Sequence, residues 1–193
     1  MRWRRVRLAN VRVIGPLQAE VATGLRSRAI GVWLILSAVT LLIVVAIIAA
    51  PLAQAHDHTL FAGSIYKTFS YLCHQIPERS LHVAGYQFAV CSRCTGLYAG
   101  FAFATLSYPL IRSLKRTDTP PIIWLLLAAL PLGIDFALGY FSIWQNNHAS
   151  RFITGALLGG VAAFYILPGL IDLSAKIKRR KSAPPAVAGG LTS

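Results

Sequence analysis

The chain has 193 residues, 55% of them hydrophobic and only 13% charged, with a mean hydropathy of +0.59, which excludes an ordinary soluble domain. A formal net charge of +13 would suit nucleic acid in a soluble protein. Here the basic residues flank apolar runs and the basic tails lack interleaved aromatics, so that class is excluded as well.

In chain order, residues 1–28 form a basic tail with seven arginines, and its segment 11–25 reads as a short interfacial amphipathic helix. Four apolar stretches follow, at 29–50, 94–111, 121–141 and 152–173. Each meets or approaches the roughly 20 residues that a helix needs to cross a bilayer. Asp135 is the one charge within them apart from Asp172 at a terminus. The expected fold class is all-α, an integral membrane four-helix bundle over residues 29–175. A basic and then disordered C-terminal tail occupies 176–193, with Ala, Pro, Gly and Ser dominating from 182 onward.

Orientation follows from the charges. Arg112, Lys115 and Arg116 follow the second span and five basic residues between Lys176 and Lys181 follow the fourth. The connections 51–93 and 142–151 hold only Lys67, Arg79, Arg93 and Arg151. The positive-inside rule then makes both termini cytoplasmic and turns the 51–93 loop outward, in a prokaryotic cytoplasmic membrane. The basic tails favour anionic lipid. Ala53-Gln54-Ala55 has the small-residue pattern of a signal-peptidase site, but the preceding basic and apolar segments are long for a signal peptide, so a retained anchor is expected. Cleavage after Ala55 would leave His56-Asp57-His58 as a copper-binding N-terminus.

The outer loop 51–93 is much longer than the other two connections, and loops of that length usually have a role. Its apolar, aromatic run 60–72 reads as a helix on or dipping into the membrane surface, broken at Pro77. All three cysteines follow within residues 73–94, as Cys73-His74 and Cys91-Ser92-Arg93-Cys94 at the mouth of the second span. Cys73, His74, Cys91 and Cys94 make a complete ligand set for a tetrahedral metal such as zinc. Cys73 and His74 are neighbours and share one ion only through a particular backbone turn, so His82, His58 or His56 are substitutes for the fourth position.

The same residues support thiol chemistry. A Cys-x-x-Cys pair opening a helix gains thiolate character from the helix dipole and from Arg93. Four spans with an outward pair loosely resemble the quinone-linked disulfide-generating membrane proteins. Those use two pairs, whereas Cys73 has no partner, and a relay requires it to attack a Cys91–Cys94 disulfide. A passive lipid-binding or assembly protein is the third class. No glycine-rich phosphate loop, zincin helix or nucleophile elbow is present, and whether the protein is an enzyme stays open.

Further polar groups gather on the same side. Asp135 is expected to pair with Arg151 or Arg93, since an unpaired intramembrane carboxylate is costly. The functional alternative makes Asp135 a proton-handling group, or lets the arginines cradle an anionic headgroup beside the Cys/His site. Asp135, Arg151, Arg93 and Glu78 are therefore the catalytic candidates. Tyr98 is a packing tyrosine or lines the cavity. Asn146, Asn147 and His148 form a polar turn in which Ser150 caps the fourth span.

Ser92-Arg93-Cys94-Thr95-Gly96 with Gly100, and Ser150-Arg151-Phe152-Ile153-Thr154-Gly155 with Gly159, form a weak internal repeat. The glycine pairs allow close backbone approach, either between spans 2 and 4 of one bundle or in a homodimer.

Cys73-His74-Gln75, Pro77-Glu78-Arg79-Ser80 and Cys91-Ser92-Arg93-Cys94-Thr95-Gly96-Leu97-Tyr98-Ala99-Gly100 carry a resemblance. With Asp135, Asn147, Arg151, Thr154 and Gly155, they resemble the prokaryotic membrane family called domain of unknown function 2085. The resemblance covers roughly residues 65–170 and implies a membrane fold and a motif, without an activity.

Overall fold

The structure is a computed structural model that describes the backbone of residues 11–114, 116–144 and 146–182 and the side chains of residues 27–177 except 115 and 145. Expectations for the tail up to residue 10 and for 183–193 lie outside these residues. The elements run α1 (Val11–Ala55), α2 (Thr59–Ser70), a 3₁₀ turn (Pro77–Arg79), β1 (Ser80–Val83), β2 (Tyr86–Cys91), α3 (Ser92–Ile111), α4 (Ile123–Tyr140) and α5 (His148–Ser182).

Among the described residues, four helices are long and apolar enough to cross a membrane: Ser27–Ala55, Ser92–Ile111, Ile123–Tyr140 and His148–Ile177. The fold is all-α in class, as expected. The separate interfacial helix expected at 11–25 is absent, because α1 is continuous from Val11. Apolar side chains face outward along the spans, among them Ile35, Leu42, Phe103 and Leu126, as in a helix solvated by acyl chains.

α3 and α5 form the central pair, joined along their glycines. A Cβ on Gly96 would collide with the backbone of Phe152, one on Gly100 with that of Ala156, one on Gly155 with that of Arg93 and one on Gly159 with that of Leu97. Each collision is with backbone, so only glycine permits this approach. The glycine faces are thus covered within the chain, which is the intrachain alternative. α1 packs on α3, tied by Trp33 Nε1 donating to Thr105 O at 2.8 Å, and α4 packs on α5.

Apolar side chains collect at two levels. Ile47, Ala50, Phe69, Cys73, Ala89 and Val90 form one cluster, and Ala29, Tyr108, Leu167 and Ile171 form the other. α1 therefore runs antiparallel to α3 and α5. Its basic N-terminal end lies with the C-terminal ends of α3 and α5, opposite the cysteines.

The outer segment is more structured than a loop. α2 occupies most of the apolar run 60–72, as expected. The β1–β2 hairpin was not expected. It pairs Ser80 with Cys91, His82 with Gln87 and Val83 with Tyr86, with an irregularity between Ser80 and His82. Its two-residue turn has φ of 51° at Ala84 and 83° at Gly85, as a hairpin turn whose twist matches the strands requires.

A three-cysteine candidate site at the bundle mouth

Cys73 follows α2, where its N–H donates to Phe69 O at 2.9 Å and ends the helix, and its side chain is 7% exposed. Gln75 then takes a left-handed backbone, φ 51°, which turns the chain toward the hairpin. Its Nε2 donates to Tyr66 O at 2.7 Å and to Ala89 O at 2.8 Å, fastening the Cys73 segment to both α2 and β2. Tyr66 Oη donates to Gln87 O at 2.5 Å and closes the same seam. Gln75 and Tyr66 are positioning residues that the sequence reading did not single out. The Cys-His-Gln string was visible, but nothing in it announces two backbone acceptors.

Cys91 ends β2 and is the N-cap of α3, with φ −65° and ψ 160°, so Cys94 falls at the third helical position. The two-residue spacing of the pair is thus the spacing that brings a cap side chain back over the first helical turn. α3 begins at Ser92, two residues earlier than hydropathy alone suggests. Thr95 Oγ1 donates to Cys91 O at 3.1 Å and Cys91 N donates to Cys73 Sγ at 3.3 Å.

The three sulfurs converge within 4.8 Å of one another, and none is in a disulfide. The Cys91 thiol lies far below the usual thiol range. Its hydrogen bond with the Cys73 thiol is the largest cause, followed by that with Cys94, and the N–H groups of Cys94 and Arg93 add to it against the opposing effect of burial. His74 is exposed and is not part of this group of ligand atoms, although it lines the adjoining cavity.

That cavity has a volume of about 250 Å3, and the three cysteines share its walls with Arg79, Arg93 and Arg151. Leu72, Phe136 and Tyr140 give it an apolar side. Glu78 is exposed on the 3₁₀ turn and does not line it. Tyr98 does not line it either. It packs with the upper apolar cluster, its ring edge-on to Phe69 at 6.3 Å.

Asp135 is 8% exposed, one turn before the end of α4. Its ion pair is with Arg93, not with Arg151, because the second position of α3 faces the end of α4. Its other carboxylate oxygen accepts from Ser150 Oγ at 2.9 Å, and its carbonyl accepts from Asn146 Nδ2. Ser150 is therefore spent on Asp135. The capping role expected of it belongs to Asn147, whose Oδ1 accepts from Ser150 N at 2.7 Å. Arg93 also lies over the Phe136 ring, 5.7 Å from its centre. Ser92 Oγ and His148 Nδ1 are 2.8 Å apart and join the first turns of α3 and α5.

Residues 73–165 match the predicted membrane protein family DUF2085. An uncharacterized protein, MJ1492, of Methanocaldococcus jannaschii is 34% identical over 109 residues, covering 56% of this chain and 70% of that protein. An uncharacterized protein of Methanothermobacter thermautotrophicus is 38% identical over 91 residues, covering 47% of this chain and 80% of its own length. No solved structure matches.

Proposed function

We propose, for a chain that belongs to the predicted membrane protein family DUF2085, that it is a multi-pass metalloprotein with an outward-facing thiolate site for a thiophilic ion such as zinc. The carrying observation is the convergence of three sulfurs within 4.8 Å from two separate segments. Sulfurs bound tetrahedrally to zinc at about 2.3 Å stand roughly 3.8 Å apart, so small side-chain rotations bring this group into that geometry. Cys73, Cys91 and Cys94 are the donors. His74, adjacent to Cys73 and lining the cavity, completes the set when its ring turns inward. A bound ion would supply charge neutralisation for three thiolates and fasten the outer segment to α3.

Orientation in a prokaryotic cytoplasmic membrane, with the site on the outer face, is supported by the charges. Arg28, Arg112, Arg116 and Lys176 sit toward the end opposite the cysteines.

The test is the metal content of detergent-purified protein by mass spectrometry, with a thiol count after denaturation. The expected result is near one zinc per chain with three free thiols, lost in Cys91→Ser and weakened in His74→Ala. Metal-free protein with a single free thiol would overturn this reading.

A second reading rests on the depressed Cys91 thiol at a helix N-terminus. Cys91 and Cys94 would lose two electrons and two protons to a quinone as they form a disulfide, and Cys73 would then attack that disulfide and pass it on to an external thiol pair. Quinone reduction by the reduced protein, absent in Cys94→Ser, separates this reading from the first.

A further inference from the structure

Three guanidinium groups from three different elements share one small cavity: Arg79 from the 3₁₀ turn, Arg93 from α3 and Arg151 from α5. Like charges brought together around a cavity repel unless something offsets them. The buried carboxylate of Asp135 is committed to Arg93. No ion pair engages Arg79 or Arg151 among the described residues. Arg93 Nε is buried and has no hydrogen-bond partner.

We infer that this cavity binds a phosphate-class oxyanion, clamped by Arg79, Arg93 and Arg151. Guanidinium forks match phosphate oxygens, and three forks arriving from three walls suit a tetrahedral group better than a planar carboxylate, which one or two forks satisfy. Asn146, also on the wall, adds a polar contact. The apolar side of the cavity favours an amphiphile, a phospholipid headgroup, as the source. Phe136 is 53% exposed, Tyr140 73% and Leu72 69%, so apolar side chains stand open at the cavity. The inference does not require a metal at the cysteines.

The experiment measures binding of a fluorescent short-chain phosphatidic acid to the full chain in zwitterionic nanodiscs, before and after treatment with a chelator. Arg79→Gln and Arg151→Gln should each weaken binding by roughly tenfold, as loss of a charge-assisted hydrogen bond does. Lys67→Ala should leave it unchanged, because Lys67 is a basic residue of the same outer segment that lies over the Tyr71 ring, away from the cavity. An unchanged melting temperature shows that the arginine variants are folded. Displacement by inorganic phosphate assigns the site to a free oxyanion, and resistance to it assigns the site to a headgroup; both support the clamp. Equal weakening in Lys67→Ala would reduce it to general surface attraction and overturn it. So would arginine variants that bind the lipid normally but change thiol reactivity or metal content, since the arginines would then serve only the thiolates. Binding that survives the chelator while metal content falls to zero separates the clamp from the metal site.

Discussion

The two ends of the bundle are built by different means. At one end Ala29, Tyr108, Leu167 and Ile171 pack as an ordinary apolar cluster, with Phe164 tilted against the Tyr108 ring at 5.1 Å. At the other, sulfurs, guanidiniums and a buried carboxylate surround a cavity, fixed by hydrogen bonds from Gln75, Ser150 and Asn146. The first end is closed mainly by packing, with the Trp33–Thr105 hydrogen bond and the Arg112–Asp118 ion pair at its edge, and it gathers no sulfurs. Buried charge costs stability, and among the described residues the one buried carboxylate, Asp135, lies beside the thiols.

The largest expected effect tests what the ends share. Gly159→Val places a branched side chain against the Leu97 backbone and should cost about 3 kcal/mol or more, lowering yield and melting temperature at both ends together. The next variant affects the mouth alone. Asp135→Asn leaves Arg93 without its counter-charge, and because the Arg93 side chain is 23% exposed, the expected loss is only about 1–2 kcal/mol. Thermal unfolding checks both, and the second should leave the apolar end as resistant to hydrogen exchange as before.

Gln75→Ala removes two hydrogen bonds to backbone carbonyls, at about 1 kcal/mol each, and should expose Cys73 to faster alkylation and lower the melting temperature by a few degrees. The smallest effect is expected at the apolar end. Tyr108 is fully buried and its hydroxyl has no partner, so Tyr108→Phe should be neutral or stabilising by less than about 1 kcal/mol. A marked loss in that variant would mean that the two ends differ less than their composition suggests.

The apolar end and the helices were legible in the sequence because burial in lipid is written as length and hydropathy. The glycine pairs declared the α3–α5 seam for a similar reason, since few other residues permit such an approach. The mouth was legible in its ingredients and not in its wiring. The sulfurs of Cys73, Cys91 and Cys94 lie together, whereas the exposure of His74 depends on the turn at Gln75, a local conformation with no periodic signal. The hairpin escaped notice because Ala84-Gly85 is a weak turn signature and Leu81 to Val90 sits inside what hydropathy marks only as a connection. The choice of Arg93 over Arg151 as partner of Asp135 depends on how α4 is rotated, which its nearly uniform apolar sequence does not fix.

The glycine seam also has a mechanical consequence. Arg93 and Arg151 sit on helices that cannot slide past each other, because each turn of one rests on backbone of the other. The stretch from Leu72 to Arg79 is held by the buried Cys73, by the Gln75 amide and by Ser80 Oγ donating to Ile76 O at 2.8 Å. This wall of the cavity is joined to the hairpin and α2, and not to the glycine seam. Anything held in the cavity therefore meets two walls locked to each other and a third fastened largely through one glutamine amide.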